Sequence, residues 1–145
     1  MNLLFECFIP GTPVPQPRPR VFKSRAVSNI GRIKTWKEIM GIYIKIEAQK
    51  TTAELPVTEP VTMSLQFLMP VAKSRLKHNI GSTPHTQTPD LDNVTKAVKD
   101  CLEDCGIIKN DSLIWRYTPP YEKIWVPKDE EPGIKIKLYG GENEP

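Results

Sequence analysis

Three aspartates and one lysine, within a short stretch, have the types and spacing to do chemistry. The stretch Pro89–Ile114 reads PDLDNVTKAVKDCLEDCGIIKNDSLI. Asp90 and Asp92 cannot share a face of one regular helix, because residues two apart point in different directions there. In an extended chain they do share a side. Pro89 before them and a helical pattern after them reconcile the two: Asp90 precedes the helix, and Asp92 begins or caps it. Lys96 then lies one turn beyond Asp92 on the same face. Asp111 comes from a second segment. The helix spans about 20 Å. The residues from Gly106 to Asp111 reach ~17 Å at most, so a chain reversing along the helix brings Asp111 back toward Asp92. Three carboxylates meeting in this way make an oxygen-only site for a hard cation, Mg²⁺ with Mn²⁺ as a substitute, rather than zinc.

The same residues have a plainer reading, which spacing alone favours. Asp92 as a simple N-cap is worth about 1 kcal/mol. Asp92 and Lys96 then form a surface pair worth a few tenths of that, and Asp111–Ser112 is a turn. Asp100, Glu103 and Asp104 are expected in solvent.

Certain elements must position these groups. Leu91, Val94, Ala97, Val98, Cys101, Leu102 and Cys105 follow helical spacing, and Gly106 suits the position just past a helix end, so a helix is expected from about Asp92 to Cys105. Leu3–Ile9 is a short apolar run that suits a buried strand. Gly11–Arg20 is an extended, proline-stiffened ribbon, and Lys23–Ile33 a mobile polar loop. Thr35 with Glu38 makes a capping-box pattern. It opens a second helix to about Lys50, with Trp36, Ile39, Met40, Tyr43, Ile44 and Ile46 as core. Val61–Met69 alternates as a strand, Val71–Thr88 reads as a long substrate-contacting loop, and Trp115 and Tyr117 suggest a strand after Asp111. Tyr121–Val126 is less defined. Ile134, Ile136 and Leu138 mark a final strand.

A chain of 145 residues fits one domain, 1–145. Its 39% hydrophobic and 26% charged residues are those of a globular protein. The formal charge is only +3, but basic residues are concentrated locally. Arg18, Arg20, Lys23 and Arg25, and then Lys73, Arg75 and Lys77, are candidates for holding phosphates. Three cysteines without a CxxC pair argue against a disulfide framework, and Cys101 and Cys105 are expected as buried thiols. His78 and His85 are not read as ligands. No apolar run is long enough to span a membrane and no signal peptide is evident, so a cytoplasmic protein is expected.

The pattern PDLDN-x2-K, then a helix, a glycine, and an acid followed by a small residue, resembles the RusA-type crossover junction endodeoxyribonucleases, the Holliday junction resolvases. Asp90, Leu91, Asp92, Asn93 and Lys96 carry the likeness, with Asp111–Ser112 after the helix. Pro17–Arg20, Lys123 and the closing PGIKIKL are weaker echoes. The resemblance implies a small α/β (α+β) fold, with a mixed β-sheet and two main helices, that forms a homodimer. It implies paired symmetric nicks in four-way DNA junctions with Mg²⁺, in DNA recombination and repair, by a bacterial or phage-encoded enzyme. Asp90, Asp92 and Asp111 match the family's metal-binding acids, and Lys96 matches an essential lysine. Two positions depart. Asn110 stands where the family commonly has a further acid, and Thr88 where it often has a basic residue. A catalytically inactive junction-binding module and a less selective branched-DNA nuclease remain open as alternatives.

Overall fold

The computed structural model describes residues 1–16, 23–71, 83–127 and 129–141, with the backbone alone for 23–30. In chain order the elements are β1 (Asn2–Pro10), α1 (Lys23–Ala48), β2 (Val61–Met69), α2 (Leu91–Asp104), β3 (Ile114–Trp125) and β4 (Gly133–Gly140). A 3-10 turn, Asp111–Leu113, precedes β3. The four strands form one mixed sheet in the order β1-β4-β2-β3. β4 runs antiparallel to both of its neighbours, and β2 and β3 run parallel. This is the α+β architecture expected.

Alternation explains the core. Phe5, Cys7 and Ile9 of β1 and Ile134, Ile136 and Leu138 of β4 point to one face, where α1 and α2 pack. β2 is interior, and even Thr62 and Ser64 on its far face are buried. β1 is an edge strand with Leu3 and Phe8 exposed, so it is half-buried rather than the fully buried strand expected. Gly133 of β4 sits where backbones crowd. A Cβ there would run into the Ile9 carbonyl and the Phe8 ring. Gly133→Ala should therefore cost about 1–3 kcal/mol, read as a lower urea midpoint at unchanged slope.

The first helix corrects the sequence reading twice. Lys23–Ile33, expected as a loop, is its opening, and α1 runs for 26 residues. Thr35 is not a cap. It lies inside the helix, and its hydroxyl donates to the Gly31 carbonyl at 3.1 Å, a back-bond that a helix interior allows. The buried stripe is Ile33, Trp36, Met40 and Ile44, whereas Ile39, Ile42, Tyr43 and Ile46 are exposed. A helix lying on β1 and α2 hides only a narrow band, and the remaining apolar residues fall outside it.

Candidate metal and phosphate site

α2 places the first two acids. Its periodic apolar face buries Val94, Thr95, Ala97, Val98, Cys101 and Leu102, and Gly106 takes the positive φ of 75° that ends it. Asp90 is the N-cap residue, in extended conformation, and Asp92 lies in the first turn. Both are exposed. Carboxylates here are favoured by the helix dipole. Lys96 follows one turn on and pairs with Asp100 at 3.7 Å. Asp100 also meets Lys37 of α1 at 3.7 Å, so this acid, expected in solvent, ties the two helices together.

Asp111 opens the 3-10 turn, and its amide donates to Glu103 Oε1 at 2.9 Å. Glu103 belongs to the last turn of α2, on the same face as Asp92 but on the order of 16 Å along the axis. The reversing chain thus fastens the Asp111 backbone to the lower end of that face. Asn110 caps the turn, its side chain accepting from the Ser112 amide at 2.8 Å. An aspartate could accept the same bond, so the asparagine preserves the turn and removes one charge.

The row that faces these acids comes from β3. Between Met63–Leu65 of β2 and Tyr117–Tyr121 of β3 the register slips, so that Thr118, Pro119 and Pro120 stand opposite Ser64 alone. The bulge needs no ladder donors, which suits prolines on an edge strand. Ser64 donates to the Pro120 carbonyl at 2.8 Å. The slip brings Tyr117 and Tyr121 into a near-parallel stack, centroids 4.2 Å apart. Lys123 follows two residues later on the same side.

The charge of an acid reaches each member of this row. Burial raises the pKa of Tyr117, and the Asp111 carboxylate adds to the rise. Burial likewise raises Tyr121, and the charge of Asp92 adds to it against the hydrogen bond with Thr95. Burial lowers the pKa of Lys123, and the neighbouring Asp90 opposes that shift. Two of the contacts are clamps. The Tyr121 hydroxyl and Thr95 Oγ1 lie 2.9 Å apart, and Thr95 also donates to the Leu91 carbonyl at 2.7 Å. Lys123 Nζ donates to the Gln87 carbonyl at 2.8 Å and to the Pro89 carbonyl, fixing the chain that delivers Asp90. Tyr121→Phe should cost about 1 kcal/mol, because Thr95 keeps its backbone acceptor. Chemical denaturation of the variant checks this.

Asp90 and Asp92 thus sit together at the head of α2, whereas Asp111 is fastened through its amide to Glu103 at the other end of that helix. Among the described residues no three or more His, Cys, Asp or Glu side chains are grouped to hold a metal ion between them. The donors nevertheless suit Mg²⁺, which keeps several waters and takes only one or two protein carboxylates beside substrate phosphates. Cys101 and Cys105, 3.9 Å apart, are free thiols. Burial pushes Cys101 up to about 12, so it stays a protonated thiol.

Arg18, Arg20, Lys73, Arg75 and Lys77 lie outside the described residues. Lys23 and Arg25 lie on α1, where only their backbone is described. The proline-rich segment does reach the site, since the Gln16 amide donates to the Asn93 carbonyl at 3.2 Å. The family model of endodeoxyribonuclease RusA matches residues 10–139. The chain belongs to the RusA endodeoxyribonuclease family. The match takes in every element that carries the site. A comparison with curated proteins finds no match. Sequence reasoning misses Tyr121, Thr95 and the strap made by Lys123. The one signal for them is the Tyr121-x-Lys123 spacing on a strand that Pro119 and Pro120 disguise.

Proposed function

We propose that this RusA-family chain is a Mg²⁺-dependent, structure-specific endodeoxyribonuclease that resolves four-way junctions by paired symmetric nicks, in DNA recombination and repair. The observation that carries the reading is the pair of clamps from β3, Lys123 on the Pro89 carbonyl and Tyr121 on Thr95, that hold the head of α2 where Asp90 and Asp92 lie. Asp90, Asp92 and Asp111 would hold Mg²⁺, or Mn²⁺ in its place. When bound, the cation lowers the pKa of a coordinated water and offsets charge on the phosphate. The protein's own groups do the rest. Lys123 fixes the chain at Pro89 and so aims Asp90. Tyr121 and Thr95 pin the first turn of α2 and so aim Asp92. Lys96 donates to a phosphoryl oxygen as charge builds there. Arg18, Arg20, Lys23, Arg25, Lys73, Arg75 and Lys77 would hold flanking phosphates, making affinity fall with salt.

A two-fold homodimer belongs to the same proposal, because two nicks of like polarity call for two sites related by symmetry. The exposed Ile39, Ile42, Tyr43 and Ile46 of α1 support it as an apolar face that a second copy would cover. We also place the protein in the cytoplasm, encoded by a bacterium or phage. No helix among the described residues is long and apolar enough to cross a membrane.

The test is cleavage of a synthetic four-way junction, a fork and a linear duplex in Mg²⁺. Paired nicks in the junction and little product from the duplex are expected. Tight junction binding without nicks in Mg²⁺ or Mn²⁺ would leave an inactive binding module. Equal cutting of fork and junction would leave a less selective nuclease.

A further inference from the structure

The segment that leads into Asp90 also lines a cavity for which the proposed cleavage has no use. It has a volume of about 500 Å³. Pro13, Pro15, Met69 and Val71 give it apolar walls. His85 and Trp125 form an aromatic corner, ring centroids 4.3 Å apart and tilted by 56°. Arg32 and Gln87 bring hydrogen-bonding groups to the same space.

His85 is the informative residue. It is only 6% exposed, and among the described residues its buried Nδ1 has no hydrogen-bond partner. A buried polar atom left unpaired calls for an explanation. The backbone that carries the ring is stitched to β3. The His85 amide donates to the Lys123 carbonyl at 3.0 Å, and the Trp125 amide donates to the Thr83 carbonyl at 2.9 Å. Burial, followed by the charge of Lys123, lowers the pKa of His85. A neutral imidazole offers one donor and one acceptor.

A flat ligand with an apolar face and a hydrogen-bonding edge fits such a space, and its volume is that of a small-ligand pocket. A nucleobase is that ligand. Extruding a base costs least where pairing is already broken, as at a branch point. Gln87, Thr88 and Pro89 run from the cavity to Asp90, so the base would belong to a nucleotide beside the scissile phosphate. Resting on the nuclease reading above, we propose that this cavity takes one extruded base flanking the cleaved bond. His85 reads its edge, which makes the position of the nick depend on base identity.

The experiment uses the full chain and four-way junctions carrying 2-aminopurine at each nucleotide around the crossover in turn. In Ca²⁺, without cleavage, fluorescence should rise at one position as that base leaves the stack. His85→Phe keeps the ring and removes the nitrogens. Gln87→Ala trims an exposed side chain and leaves the fold intact. Both should lose the rise while still binding the junction. In Mg²⁺, permuting that base should change wild-type cleavage by about tenfold or more, and the variants should flatten the preference. No brightening at any position, or variants that keep the wild-type preference, would overturn the pocket. Cleavage without base preference would sink the pocket and leave the nuclease standing. Base capture without cleavage in Mg²⁺ or Mn²⁺ would do the reverse.

Discussion

Asp92→Asn should slow four-way junction cleavage by about 10³-fold or more while junction binding changes little. The substitution keeps the shape of the side chain and removes its charge. Asp92 is exposed in the first turn of α2 and is not part of the core. Loss of its favourable interaction with the helix dipole should cost about 0.3–1 kcal/mol of stability. The change in rate therefore reports on chemistry and not on folding. A spectroscopic companion exists, because the Asp92 charge contributes to the raised pKa of Tyr121. In the variant the Tyr121 phenol should titrate lower than in wild type, although burial keeps it above the ordinary value. A variant that nicks junctions at the wild-type rate would remove Asp92 from the site.

Lys123→Met should reduce cleavage by about 10–100-fold, the usual cost of losing a group that orients a metal-binding side chain. Methionine keeps the apolar stem and forfeits the donations to the Gln87 and Pro89 carbonyls. Water can reach the Gln87 carbonyl, so the stability loss should be modest, about 1–2 kcal/mol. The distinguishing readout is the dependence on Mg²⁺. If Lys123 acts by aiming Asp90, the variant should need more Mg²⁺ for half-maximal rate and recover when it is supplied. A variant with wild-type rate at low Mg²⁺ would show that the strap has no part in placing Asp90. A lower maximal rate at saturating Mg²⁺ with no change in the midpoint would point instead to Lys123 acting on the phosphate.

How much of this was legible in the sequence depends on whether the information is local. α2 was legible because its apolar residues repeat at helical spacing and Gly106 closes it. The acids were legible because Asp90, Asp92 and Lys96 lie within two turns, and the RusA-family pattern adds Asp111. The start of α1 was not, since Lys23–Gly31 is largely polar and the apolar stripe begins at Ile33. The lower half of β3 was obscured by Pro119 and Pro120, which read as a break until the bulge opposite Ser64 gives them a place. The clamps were out of reach for a different reason. Lys123 meets Pro89, and Tyr121 meets Thr95, only because β2 and β3 pair in parallel, and no local pattern announces a parallel pairing.

The strand order has a consequence for the protein while it is being made. β4, the last strand in the chain, lies inside the sheet between β1 and β2. Synthesis through Asp111 yields every proposed ligand but neither Tyr121 nor Lys123. Even a chain extended through β3 lacks the strand that joins β1 to β2. Pairings so distant in sequence form slowly, and here they wait for the ribosome to deliver Gly133–Gly140. A nascent chain therefore carries the proposed ligands before the sheet that would position them, and the site proposed here is complete only when β4 closes that sheet.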